Sequence, residues 1–146
     1  MKSEKNIERE TSRIAMQFWP GTERTARFLS PLVTEYVRPG WARVVRDFTY
    51  RSAITGDLIE VRAGFEFDWD SVPRLPFIHA MLKGRAEKAA CVHDWLYRHQ
   101  RYSRKVADRI FWEAMTIEGV HLRHRIPIYA GVRLGGWQGW RKHAAD

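Results

Sequence analysis

The chain changes its hydrophobic period once, and that single change demands a fold that keeps strands and helices apart. Between Ala42 and Arg51, Val44, Arg46, Phe48 and Tyr50 alternate with Arg43, Val45, Asp47 and Thr49, the period of two expected of a half-buried strand. Similar runs rich in Val, Ile, Thr, Tyr and Phe cover Pro31–Arg38 and Leu58–Arg62, separated from the first by Pro39-Gly40 and Thr55-Gly56-Asp57. Turn residues between such runs predict a three-stranded antiparallel meander over about 31–62. From Arg85 on, the apolar residues recur every three or four positions. Ala86 to His99 reads as a helix. Arg104 to Glu118 reads as a second, with Ser103 as N-cap and Gly119 as C-terminal stop. A third helical stretch is expected over about 127–142, from Pro127 toward Lys142, weakened by Gly131, Gly135, Gly136 and Gly139. The reading is an α+β fold: a small three-stranded sheet, an antiparallel helical hairpin and a C-terminal helical segment. Residues 29–146 form one domain, and 1–28 an N-terminal arm with a short helix near Ile7 to Phe18 and a turn at Trp19-Pro20-Gly21.

The two halves are joined by Gly64–Phe77, GFEFDWDSVPRLPF. Its glycine and two prolines break regular structure, and it places Asp68 and Asp70 beside large aromatic residues. No run of roughly 18 apolar residues exists to span a bilayer. Met1 to Glu10 is charged in both signs and has no apolar core, which argues against a secretory signal. With one cysteine, Cys91, neither an internal disulfide nor a cysteine-based zinc cluster can form. These features predict synthesis in a reducing cytoplasm.

Lys and Arg number 25 against 17 Asp and Glu, a formal charge of +8. Such a balance favours polyanions. The charge is uneven: no acidic side chain lies between Glu118 and Asp146, where Arg123, Arg125, Arg133, Arg141 and Lys142 stand. Trp137 and Trp140 beside those bases suit a lipid headgroup boundary. A solvated basic face, with the tryptophans used in packing, explains the same residues. No helix-turn-helix, zinc or ribonucleoprotein motif is present, so sequence-specific nucleic-acid binding is not expected.

The segment Cys91-Val92-His93-Asp94-Trp95-Leu96-Tyr97-Arg98 concentrates the chemistry. On a helix, His93 and Tyr97 share a face. The link around Gln100–Tyr102 is short, so the two helices pair antiparallel. With the turn near Arg101, Asp108 falls opposite His93. A histidine bonded through one ring nitrogen to a carboxylate is held in one tautomer and can take a proton at the other. Asp94 points about 100° away around the helix. It would ligate a hard cation if oxygens from the Gly64–Ser71 loop, Asp68 included, completed the shell. The same residues also read as a structural polar bridge across a hairpin.

FEFDWDSVPR, VHDWLYR, SRKVADRIFWEAM and IYAGVRLGGW, in that order, resemble a family of unknown function common in tailed phages and prophages. Its pattern runs F-x-T-D-x-A-S-V-P-R, H-D-x-L-Y-R and S-R-x-x-A-D-x-x-F. The match spans about residues 30–140 and includes Ser71, Arg74, Arg98 and Arg104. Phe67 and Asp70 depart from it. A shorter stretch, Cys91, His93, Asp94 and Tyr97 with Ala107-Asp108 and Phe111, resembles the active-site helices of phospholipase A2, bacterial forms above all. That resemblance implies His93 as general base, Asp94 as calcium ligand, and Tyr97 and Asp108 as supports of the histidine. The glycine-rich calcium loop and the disulfides of the secreted enzymes are absent.

Two functions follow as expectations. One is a phage or prophage hydrolase of lipid esters with a His93–Asp108–Tyr97 site, calcium at Asp94 and Asp68, and an anionic lipid surface as partner. The other is a non-enzymatic virion or assembly component that uses the scaffold to bind other phage proteins. His79, His93, Asp94 and Asp108 also match the ligand types of metal phosphohydrolases, but those folds are larger and all-helical, against the strand-rich first half here.

Overall fold

A computed structural model describes residues 25–68 and 84–144. Within them the strands are β1 (Arg27–Phe28), β2 (Thr34–Arg38), β3 (Trp41–Val44), β4 (Phe48–Arg51), β5 (Leu58–Val61) and β6 (Glu66–Asp68). The helices are α1 (Glu87–His99), α2 (Arg104–Glu118), α3 (Leu122–Gly135) and α4 (Trp137–Ala144). The fold is α+β, as expected. The expected Ile7–Phe18 helix, the Trp19-Pro20-Gly21 turn and loop residues Asp70, Ser71 and Arg74 lie outside the described residues.

The strands form two antiparallel three-stranded sheets, ordered β1-β4-β5 and β2-β3-β6, rather than one meander. The run Ala42–Arg51 breaks because Arg46 falls in the same phase as buried Ala42, Val44, Phe48 and Tyr50. A bend at Val45–Arg46 turns that guanidinium outward. Asp47 then accepts the Ala63 N–H at 2.8 Å and fixes the bend against the β5–β6 turn. Gly40, at φ 79°, makes the tight β2–β3 turn, a conformation glycine adopts without strain. The loop-like segment after Val61 contributes β6, which pairs with β3 in the register Ala42↔Phe67. Strand β1 pairs with β4, and Phe28 covers Phe48 and Tyr50 at centroid distances of 5.6 and 4.8 Å.

Helix α1 contacts both β5 and β6, so the two sheets meet against it. Its N-terminal residue Ala86 offers no side-chain cap. Glu118, at the far end of α2, supplies one, accepting the Lys88 and Ala89 N–H groups at 3.0 Å each. Ala86, Ala89 and Ala90 are buried, and their small side chains let neighbours approach closely. Helix α2 begins at Ser103, whose hydroxyl accepts the Val106 N–H, and ends at Gly119 with φ 85°. The C-terminal segment starts earlier than expected: His121 accepts the Arg123 N–H through Nδ1 and starts α3 one turn before Pro127. It is also two helices, with a corner at Gly136. One core runs through both sheets and the helices, including Val44, Phe48, Val61, Phe67, Phe111 and Ile128. No helix among the described residues is long and apolar enough to cross a membrane.

Candidate functional site

Helix geometry puts His93 and Tyr97 one turn apart on the face of α1 that meets α2. The Ser103 cap sets the phase of α2 so that Asp108 faces them. Asp108 is fully buried. Its Oδ1 lies 2.8 Å from His93 Nε2 and accepts the Tyr97 hydroxyl at 2.6 Å. The pairing read from the short interhelical link is therefore present. The His93 ring packs between Tyr97 and Phe111, with centroids at 4.2 and 4.5 Å. These contacts orient it beyond what one hydrogen bond can do.

Oδ2 of Asp108 takes two guanidiniums. Arg133 on α3 donates at 2.6 Å, and Arg104 in the first turn of α2 donates at 3.4 Å. Burial pushes the Asp108 carboxyl up, but the bonds from His93, Tyr97 and Arg133 together outweigh it and leave the group below its ordinary range. Asp108 is thus ionised at neutral pH, and its hydrogen bond requires the proton on His93 Nε2. In the neutral imidazole the lone pair then lies on Nδ1. Burial and the bond to Asp108 push the Tyr97 phenol well above its usual value, so it stays a donor. The cluster has the elements of a general base: an oriented imidazole, a fixed tautomer, and a buried anion to stabilise the imidazolium.

The remaining site residues are divided among neighbouring surfaces. Asp94 is 3% exposed, and its carboxylate lies 3.3 Å from Arg98, one turn further along α1. The Arg98 guanidinium sits 5.0 Å from the Phe65 ring centroid and 5.8 Å from that of Trp41. Asp68 closes β6 opposite Trp41. Among the described residues no three His, Cys, Asp or Glu side chains gather into a metal-binding group. Calcium takes six to eight oxygens and favours carboxylates free of cations. Arg98 already occupies one side of the Asp94 carboxylate, a position a cation would have to contest. Ser71 and Arg74 lie outside the described residues.

Two features of the site escape a reading from the hairpin alone. Arg133 reads in sequence only as part of a basic face, because its route to Asp108 depends on how α3 folds back. Gly136 reads only as a helix weakener. A Cβ there would stand 2.7 Å from the Tyr97 hydroxyl and 2.5 Å from the Val132 carbonyl, so the α3–α4 corner lies directly on the site. Trp140 packs edge-on against Tyr97 at 5.2 Å, while Gln100 Nε2 donates to the Trp140 carbonyl at 2.7 Å. A second buried pair, Tyr50 Oη donating to Glu113 Oε1 at 2.7 Å, ties β4 to α2. The His-x-x-x-Tyr spacing gives no signal for it.

No curated protein and no solved structure matches the chain. A family model described as protein of unknown function (DUF1353) matches residues 42–132, which include the His93–Asp108 hairpin and its supporting strands, and the chain belongs to that family.

Proposed function

We propose that the protein is a hydrolase of phage or prophage origin that cleaves lipid esters by general-base catalysis at His93. The observation that supports this most is the shared oxygen of Asp108, which holds both His93 Nε2 and the Tyr97 hydroxyl within 2.8 Å. The resemblance of these helices to phospholipase A2 adds the reaction class. In the reaction, His93 Nδ1 takes a proton from water as the oxygen attacks the ester carbonyl carbon. The tetrahedral adduct then expels the alkoxide, which recovers the proton from Nδ1. Ester and water become acid and alcohol, and His93 returns to its neutral form. Asp108 stabilises the transient imidazolium, and Tyr97 holds Asp108 in place.

Purified protein with phosphatidylglycerol vesicles tests this by release of free fatty acid. His93→Ala should lower the rate by at least about a hundredfold with its circular dichroism spectrum unchanged. Equal rates in folded wild type and variant would reject the reading. Calcium belongs to the proposal through Asp94 and Asp68, where it must displace Arg98. Binding to the folded state raises the melting midpoint, so an unchanged midpoint across millimolar calcium removes the metal while leaving the base.

A second reading, a non-enzymatic virion or assembly component, has its own support. Asp108 accepts bonds from residues on three helices, as a structural hub would. Synthesis in a host cytoplasm and carriage in the particle belong to either proposal. Folded protein without ester hydrolysis, recovered with assembled particles, favours the second.

A further inference from the structure

Two arginines on different helices meet at a single carboxylate oxygen. Arg133 Nη1 lies 2.6 Å and Arg104 Nη1 3.4 Å from Asp108 Oδ2. Asp108 carries one negative charge and already serves His93 and Tyr97, so the pair of guanidiniums is only half neutralised. Both side chains reach solvent, Arg104 at 21% and Arg133 at 33% exposure. Arg104 Nη1 also reaches the Val132 and Arg133 carbonyls, at 3.4 Å each, and Tyr97 lies within hydrogen-bonding reach of the same guanidinium. Arg104 and Lys105 occupy the first turn of α2, where no acidic residue stands. Cations there oppose the helix dipole, and the combined field favours an anion. The planar guanidinium fork matches the paired oxygens of a phosphate group.

We infer that Arg104 and Arg133 form an oxyanion-binding site for a phosphate group, presented beside His93 at the α2–α3 junction. The site stands without ester hydrolysis. It would equally hold the phosphate of a lipid headgroup or of a soluble phosphate monoester.

The test is titration of the full chain with inorganic phosphate at constant ionic strength, followed by melting midpoint and calorimetry, with chloride as reference. Phosphate should raise the midpoint beyond chloride. Arg104→Gln and Arg133→Gln should each weaken phosphate about tenfold, and Arg62→Gln, past the end of β5 and paired with Asp47 and Glu60, should change nothing. Should Arg133→Gln fail to fold, Arg133→Lys keeps the charge at Asp108 while losing the fork, and it too should bind phosphate more weakly. Equal responses to phosphate and chloride, or equal losses in Arg62→Gln and the two site variants, overturn the inference. Sedimentation with phosphatidylglycerol vesicles, compared with the same vesicles plus excess glycerol phosphate, separates the sources. Vesicle binding lost in the Arg104/Arg133 double variant assigns a headgroup. Phosphate binding without vesicle binding assigns a soluble monoester.

Discussion

Asp108 and Glu113 are both buried carboxyls on α2, one helical turn and a half apart, yet they respond oppositely to pH. Asp108 is held below its ordinary range, so its contribution is complete above the unfolded value of about 3.9 and declines as pH falls through the lower folded value. Asp108→Asn should cost about 3 kcal/mol at pH 7 by removing the anion shared by Arg133, Arg104 and His93. Urea unfolding from pH 7 to pH 3 should show a smaller loss in the variant than in wild type. For Glu113 the sign reverses. Burial raises its pKa, and donors on Tyr50, Ser52, Ala53 and Ile54 only partly offset that. The fold therefore favours its protonated form. Its contribution is complete below the unfolded value of about 4.3 and is lost as pH rises through the folded one. Glu113→Gln removes the titration but sets an amide N–H among those donors, so stability should fall by about 1 kcal/mol while its dependence on pH between about 4 and 7 flattens. The same melts, read at two pH values, check it.

At the scale of elements, the caps and the corner decide how the hairpin meets its neighbours. The start and stop of α2 are legible in Ser103 and Gly119 because a cap is a local hydrogen bond. The cap of α1 is not legible, because Glu118 reaches it from thirty residues away. Gly136 is the corresponding case for α3 and α4. Its backbone is right-handed, φ −67°, so any residue could adopt it; what requires glycine is space. Gly136→Ala should destabilise by about 1–3 kcal/mol and shift the Tyr97 ring signals in NMR spectra. A stability equal to wild type, with Tyr97 unmoved, would mean the corner does not bear on the site. The split of the expected second strand has a comparable origin. Binary pattern carries the alternation across Arg46 without interruption, and only the penalty for burying that guanidinium bends the chain.

Across the whole molecule, both sheets and the helices share one core, and α1 touches strands of each sheet. Melting should therefore be a single cooperative transition. Far- and near-ultraviolet circular dichroism are expected to give the same midpoint, and two separated midpoints would show that the sheets unfold independently of the hairpin. The basic residues that read in sequence as one face are put to different uses. Arg133 is drawn to Asp108 and Arg125 is buried against Thr116 and Trp112, whereas Arg141 lies over the Trp137 ring on the exposed side of α4.

Period, turn residues and caps, all acting within a few positions, were enough to specify the α+β class, the α1–α2 hairpin and the meeting of His93 with Asp108, since a short link between two helices leaves one antiparallel register. The partition into two sheets, the arrival of Arg133 and the closure of Gly136 over Tyr97 belonged to the tertiary structure. They turn on burial and on contacts between residues distant in the chain, where the cost of an unpaired charge or a crowded Cβ is settled by packing that no local pattern encodes.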